Sequence, residues 1–229
     1  MDPDSAEAGT APEVNEPAWR RRAVSRSLHA ARSRAEQRVQ RFLDAAFELI
    51  DEKGTTDFTI QEVIDRSNQS LRAFYQHFDG KDELLLALFE ETVREAAEDI
   101  RTSVDAETKP LDRLHVFVLS LHAWCDPHER PRKRGSHSRM PIMDFMLRLA
   151  ADHPERVKAG VAPVSTMLVE LLDEAVAAKA MKIPDTRHAA ALIQQTVFSS
   201  WLGDRLVHNP RARPSAEETW AFCLHGLSG

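Results

Sequence analysis

Apolar residues recur along this chain at intervals of three and four, the period of helices with one buried face. Val39, Phe42, Leu43, Ala46, Phe47 and Ile50 form the first stripe, and Gly54 supplies its stop. Thr59 precedes Ile60, Val63 and Ile64, with Glu62 placed to complete a capping box, so a short second helix starts there. Ser67-Asn68-Gln69 breaks it, and Ser70 is placed to cap a third helix running through Phe78. Asp79-Gly80 breaks again. A long helix begins near Lys81 and carries Leu84, Leu85, Leu88, Phe89, Val93 and Ala97 on its core stripe.

Beyond residue 104 the helical period continues. Pro110 suits a helix start, the apolar stretch Leu111 to Cys125 follows, and Asp126 to Arg139 reads as a basic, Pro-containing loop. Further helices are predicted at about 140–151, 155–179, 185–207 and 215–227, bounded by Pro154, Pro184, Pro210 and Pro214, with Pro163 predicting a kink or a late start. No alternating strand pattern and no internal repeat is visible. The expected fold is all-α: an N-terminal three-helix head containing a helix-turn-helix, a connecting helix, and a larger C-terminal helical bundle.

Composition changes the picture in one respect. The 229 residues carry a formal net charge of −6, so the chain as a whole does not advertise nucleic-acid binding. The charge is segregated, however. Residues 1–16 hold Asp2, Asp4, Glu7, Glu13, Glu16 and no base, whereas Pro17 to Arg41 holds arginines 20, 21, 22, 26, 32, 34, 38 and 41 against Glu36. A basic block beside a helical head is a typical nucleic-acid arm. Two cysteines, Cys125 and Cys223, make no disulfide framework and fit a reducing cytosol. With no long apolar span and no signal-peptide core, a cytoplasmic protein without membrane attachment is expected.

The stretch from Gln40 to Leu84 resembles the TetR family of transcriptional regulators. The matching residues are Phe42-x-x-Ala45-Ala46-x-x-Leu49-Ile50, Glu52-Lys53-Gly54, Thr59-Ile60-x-x-Val63-Ile64, Ser70, Phe74-Tyr75-x-x-Phe78 and Lys81-x-x-Leu84. Where the family usually shows Ala-Gly-Val-Ser in the turn, this chain has Ser67-Asn68-Gln69-Ser70. Asn tolerates positive φ better than most residues, so Asn68 can stand in for the glycine. Leu71 and Arg72 replace the common Lys-Gly, which makes the recognition chemistry this protein's own. The organisation this implies is a disordered tail over 1–18, a basic arm over 19–35, a DNA-binding head over 36–96 with its helix-turn-helix at about 59–78, and a ligand-binding and dimerisation domain over 97–229.

For DNA contact the candidates are Thr59, Ser70, Leu71, Arg72, Tyr75, Gln76, His77 and Lys81, with Arg20, Arg21 and Arg22 from the arm. Arg72 has the fork to bond guanine in a major groove, and Gln76 either reads adenine or is solvated. Ser70 caps its helix, bonds a phosphate, or does both. Tyr75 resembles the family's phosphate-binding tyrosine; its alternative is a half-buried core residue. Leu71 meets a thymine methyl or belongs to a core stripe with Phe74 and Phe78, and His77 contacts phosphate or packs. Lys81 opens a helix whose amides suit a phosphate.

The resemblance also implies an inducer pocket after residue 104 and a homodimer formed by the last two long helices. Candidate ligand contacts are Phe117, His122, Met143, Phe145, Met146, Met167 and Phe198, with Trp124 in the same cluster; few charges fall in these stripes, so the expected ligand is largely apolar. Ala189, Leu192, Ile193, Thr196, Val197, Ser200 and Trp201, then Trp220, Leu224 and Leu227, are compatible with helix pairing. The reading is a repressor on double-stranded operator DNA, released by a small-molecule inducer, with no cofactor. Two alternatives keep the fold: an activator, and a metal-responsive regulator using His115, His122, Cys125 and His128. A helical enzyme is the remaining rival, but no phosphate loop, nucleophile elbow or His-Glu-x-x-His pair is present.

Overall fold

A computed structural model describes residues 17–125, 140–207 and 214–227. Among them the chain is helical: α1 (Ala18–Lys53), α2 (Ile60–Ser67), α3 (Leu71–Tyr75), α4 (Lys81–Val104), α5 (Pro110–Cys125), α6 (Met140–Asp152), α7 (Pro154–Ala177), α8 (Thr186–Val207) and α9 (Ala216–Leu227). No strand occurs in the described residues, in keeping with the all-α expectation. Two compact units are distinguished, residues 1–41 and residues 42–229. The boundary falls inside α1, and the head's core and the helical bundle share the second unit.

In the first unit, the basic arm is helix from Ala18 onward, although its charge suggests only an arm. Most of its described side chains are exposed, including Trp19 at 61%, Val24 at 49% and Leu28 at 65%. Residues 1–16 of the expected 1–18 tail and the loop over 126–139 lie outside the described residues, while Ala18 already belongs to α1.

In the second unit, α1 ends where Gly54 turns left-handed at φ +66° and donates its N–H to the Ile50 carbonyl at 2.8 Å. The head closes on aromatic packing. Phe42 of α1 meets Phe74 edge-on at 5.5 Å and Phe78 at 6.1 Å, and all three rings are buried. Arg66 of α2 grips Glu52 of α1 through paired contacts of 2.6 and 2.7 Å.

α3 is shorter than the predicted helix. It ends at Tyr75, and the chain reaches Phe78 through a turn in which the Phe74 carbonyl accepts both the His77 and the Phe78 N–H. That turn tucks Phe78 back under Phe42. α7 starts at Pro154 and runs through Pro163 without a break, so the late-start reading does not hold. The bundle core draws Ile100, Leu114, Phe117, Leu168, Leu172, Ile193 and Val197 from α4, α5, α7 and α8, with Cys223 from α9.

Candidate nucleic-acid surface and ligand cavity

α2 opens on a capping box, and the turn from α2 to α3 is built by Asn68, Gln69 and Ser70. Thr59 Oγ1 accepts the Glu62 N–H at 3.2 Å while Glu62 accepts the Thr59 N–H at 2.8 Å, the reciprocal pair expected. Glu62 is also held by Lys53 at 2.7 Å. Hydrogen bonds from Lys53 and from the Thr59 backbone and hydroxyl lower its pKa to about 2. Asn68 sits at φ 53°, ψ 42°, the left-handed conformation that the turn needs. Gln69, standing where the family carries an apolar residue, is half-buried and donates its side-chain amide to the Asn68 carbonyl at 3.0 Å. Ser70 then caps α3, accepting the Ala73 N–H at 3.1 Å.

These caps fix which face of α3 is open. Phe74 is fully buried, whereas Leu71 is 50% and Tyr75 53% exposed, and Arg72 and Gln76 are exposed as well. Leu71 therefore stands apart from the Phe74/Phe78 core stripe, and Tyr75 keeps one ring edge against Phe74 at 5.5 Å with the rest in solvent. His77 is half-buried, and its Nε2 is enclosed with no hydrogen-bond partner among the described residues. The Lys81 ammonium lies over the Phe58 ring, 4.9 Å from its centroid, at the first residue of α4. In the arm, Arg20 and Arg22 are exposed, and the Arg21 side chain lies outside the described residues.

Polar contacts join the head's side of the unit to the bundle. Arg148 of α6 donates to Thr56 Oγ1 at 3.2 Å, and Arg156 of α7 reaches Glu83 near the start of α4 at 3.1 Å.

Between α4, α5, α6, α7 and α8 lies a cavity of about 330 Å³. α4 supplies Phe89, Thr92, Val93 and Ala96, and α5 supplies Leu121, Trp124 and Cys125. Met143 and Met146 of α6 and Val161 and Val164 of α7 face them, and α8 adds Gln194, Gln195, Val197 and Phe198. Of the candidates read from sequence, Met143, Met146 and Phe198 share these walls, together with Trp124. Phe117, His122, Phe145 and Met167 are buried but do not line the cavity; Phe117 and Met167 belong to the bundle core. Sequence reasoning misses Phe89, Thr92, Val93, Gln194 and Gln195. Thr92, a hydroxyl inside an apolar stripe, is the one signal that points to this wall. α7 packs close to α4 at Gly160, where an added Cβ would lie 2.5 Å from Phe89 Cε1.

Among the described residues no cluster of three or more His, Cys, Asp or Glu is placed to hold a metal. His115 instead contacts Glu217 at 3.0 Å and the Trp220 ring at 5.0 Å, and His128 lies outside the described residues. No described helix is long and apolar enough to cross a membrane.

The described residues thus form a capped helix-turn-helix with an open second helix, joined through α4 to a helical bundle. Residues 42–88 match the family model described as bacterial regulatory proteins, tetR family. The HTH-type transcriptional regulator BetI of Brucella anthropi is 26% identical over 81 residues, covering 35% of this chain and 42% of that protein. The matched part is thus less than half the length of this relative. Solved structures share the fold along most of the chain. A TetR/AcrR-family regulator from Thermobifida fusca has a TM-score of 0.58 at 21% identity, covering 85% of this chain and 97% of its own. FadR from Bacillus subtilis, solved in complex with stearoyl-CoA, has a TM-score of 0.56 at 16% identity, covering 83% and 98%. Residues 42–88 are thus similar to the head of tetR-family regulatory proteins, and the described helices as a whole share the fold of these solved structures.

Proposed function

We propose that this protein is a cytoplasmic, DNA-binding transcriptional repressor that works as a homodimer and leaves its operator when a small, largely apolar ligand binds. One observation carries the reading: α3 buries Phe74 and leaves Leu71, Arg72, Tyr75 and Gln76 open together, which is how a recognition helix must present itself to a major groove. Arg72 is assigned to a base edge, Leu71 to a thymine methyl, and Tyr75, Ser70 and Lys81 to phosphates, with Thr59, Gln76 and His77 at the margin. Arg20, Arg21 and Arg22 add sequence-independent attraction.

In this reading residues 36–96 are the DNA-binding head and 97–229 the ligand-binding and dimerisation part. Exposed Leu192 on α8 and Phe222 on α9 offer apolar surface to a partner copy. A two-fold dimer sets its recognition helices about 34 Å apart, one turn of DNA. The cavity supplies the ligand site, and FadR from Bacillus subtilis, which shares this fold, is solved with stearoyl-CoA, a ligand with a long apolar acyl chain. Ligand binding acts by favouring a head spacing that no longer fits successive grooves, to the extent that the ligand prefers that state.

A gel shift with the DNA upstream of the protein's own gene tests the proposal. Retardation that survives excess unrelated competitor DNA is expected. Affinity no greater than for the competitor overturns it.

A further inference from the structure

We infer that the cavity among α4–α8 takes an electrically neutral ligand carrying a hydrogen-bond acceptor, and that Gln194 reads this acceptor. The inference rests on reading the cavity as the ligand site and adds the ligand's chemical class. Among the described residues that line it, none is Asp, Glu, Lys, Arg or His. A carboxylate or ammonium drawn into such walls loses its hydration with no opposite charge to compensate, which is the costliest kind of burial. The cavity's size, about 330 Å³, falls in the range used for small organic ligands.

The walls are not purely hydrocarbon, and their polar groups are unequal. Thr92 spends its hydroxyl proton on the Leu88 carbonyl at 2.8 Å. Gln194 is half-buried and tied to Ser165 of α7, with Nε2 donating to Oγ at 2.9 Å. That bond fixes the plane of the amide and uses one of its two N–H groups, leaving the other for an acceptor. Gln195 also lines the cavity but is exposed, so water competes for its amide. A ketone, ester, lactone or alcohol oxygen on an apolar body meets all of these terms.

The test is calorimetric titration of the full-length protein, without DNA, with four eight-carbon probes: octan-2-one, 1-octanol, octanoate and octylammonium. Propylbenzene serves as a reference that has no hydrogen-bonding group. The neutral oxygen-bearing pair is expected to bind at least tenfold more tightly than either ion. Gln194→Leu is expected to weaken octan-2-one by roughly tenfold, the value of about one hydrogen bond, and to leave propylbenzene unchanged. Octanoate or octylammonium binding as tightly as the ketone overturns the inference. So does equal loss of ketone and propylbenzene affinity in Gln194→Leu, or failure of every neutral probe to bind. Because no DNA is present, such a failure leaves the gel-shift result, and the regulator reading, to stand or fall separately.

Discussion

Lys53, the last residue of α1, holds Glu62 of α2 at 2.7 Å while the same carboxylate caps its own helix through the Thr59 N–H. One side chain thus sets the entry to the helix-turn-helix and ties it to the preceding helix. Its ionised form is what does both jobs. The folded-state pKa is lowered to about 2 from an ordinary value of 4.5, so this carboxylate stabilises the fold fully above the unfolded value. That contribution disappears as pH falls through the window from about 4.5 to about 2. Glu62→Gln should therefore lower Tm at neutral pH and show a shallower decline through that window, converging on the parent at its acid end. Thermal denaturation followed by circular dichroism at intervals from about pH 7 to about pH 2 measures this. Curves that stay parallel throughout would show that Glu62 makes no such contribution.

The capping box of Thr59 and Glu62, like the caps at Asn68 and Ser70, is legible in the sequence because each acts on backbone groups within a few residues, and sequence spacing dictates such contacts. The Phe42 and Phe74 packing is legible for a related reason, since both rings lie on helical stripes whose opposite faces are polar, whereas Phe78 joins them from the turn beyond α3. The helicity of the arm is harder to see, because arginines dominate that stretch. Val24, Leu28, Ala31, Ala35 and Val39 nevertheless continue the α1 stripe backward at helical spacing, with no Gly or Pro between Ala18 and Lys53, and that is the signal to use.

The cavity is legible only in part. Met143 and Phe117 are both apolar and both in phase on their helices, yet one lines a void and the other fills the core. Which occurs depends on how far apart helices remote in sequence stand. That distance is set by residues such as Gly160, whose importance shows only once Phe89 is seen beside it.

Base readout and phosphate contact separate by experiment. If Arg72 makes the bidentate base contact proposed for it, Arg72→Ala should change preference at one operator position by about 1–3 kcal/mol. Tyr75→Phe and Lys81→Ala should weaken binding to all sequences alike. Fluorescence-anisotropy titrations against an operator and its single-base variants distinguish the two patterns. Equal affinity of the Arg72 variant and the parent for every variant site removes Arg72 from base reading.

The contribution proposed for the arm is electrostatic and so belongs in the salt dependence. Replacing Arg20, Arg21 and Arg22 together with Ala should lessen the slope of log K against log[salt] by about one for each phosphate these side chains neutralise, while the ranking of operator variants is kept. An unchanged slope would mean that these arginines lie away from the phosphates.

Gly160 offers control of the cavity's volume without touching α3. A methyl there meets the Phe89 ring at 2.5 Å, too close to coexist with it. Phe89 is buried, but one side of its ring borders the cavity, so the ring's open direction of movement is into that space. Gly160→Ala gains about 1 kcal/mol of helix propensity and forfeits about 1–3 kcal/mol to overpacking, so the variant should remain folded with a small net destabilisation. Its cavity should be smaller, and affinity for octan-2-one and propylbenzene should fall together, unlike the selective effect of Gln194→Leu. Adding Phe89→Leu removes the colliding ring and should restore both affinities. Titration of the single and double variants, beside a gel shift showing unaltered operator affinity, checks each of these steps. Ligand affinities that are unchanged in Gly160→Ala would mean that the Phe89 ring yields in some direction other than the cavity.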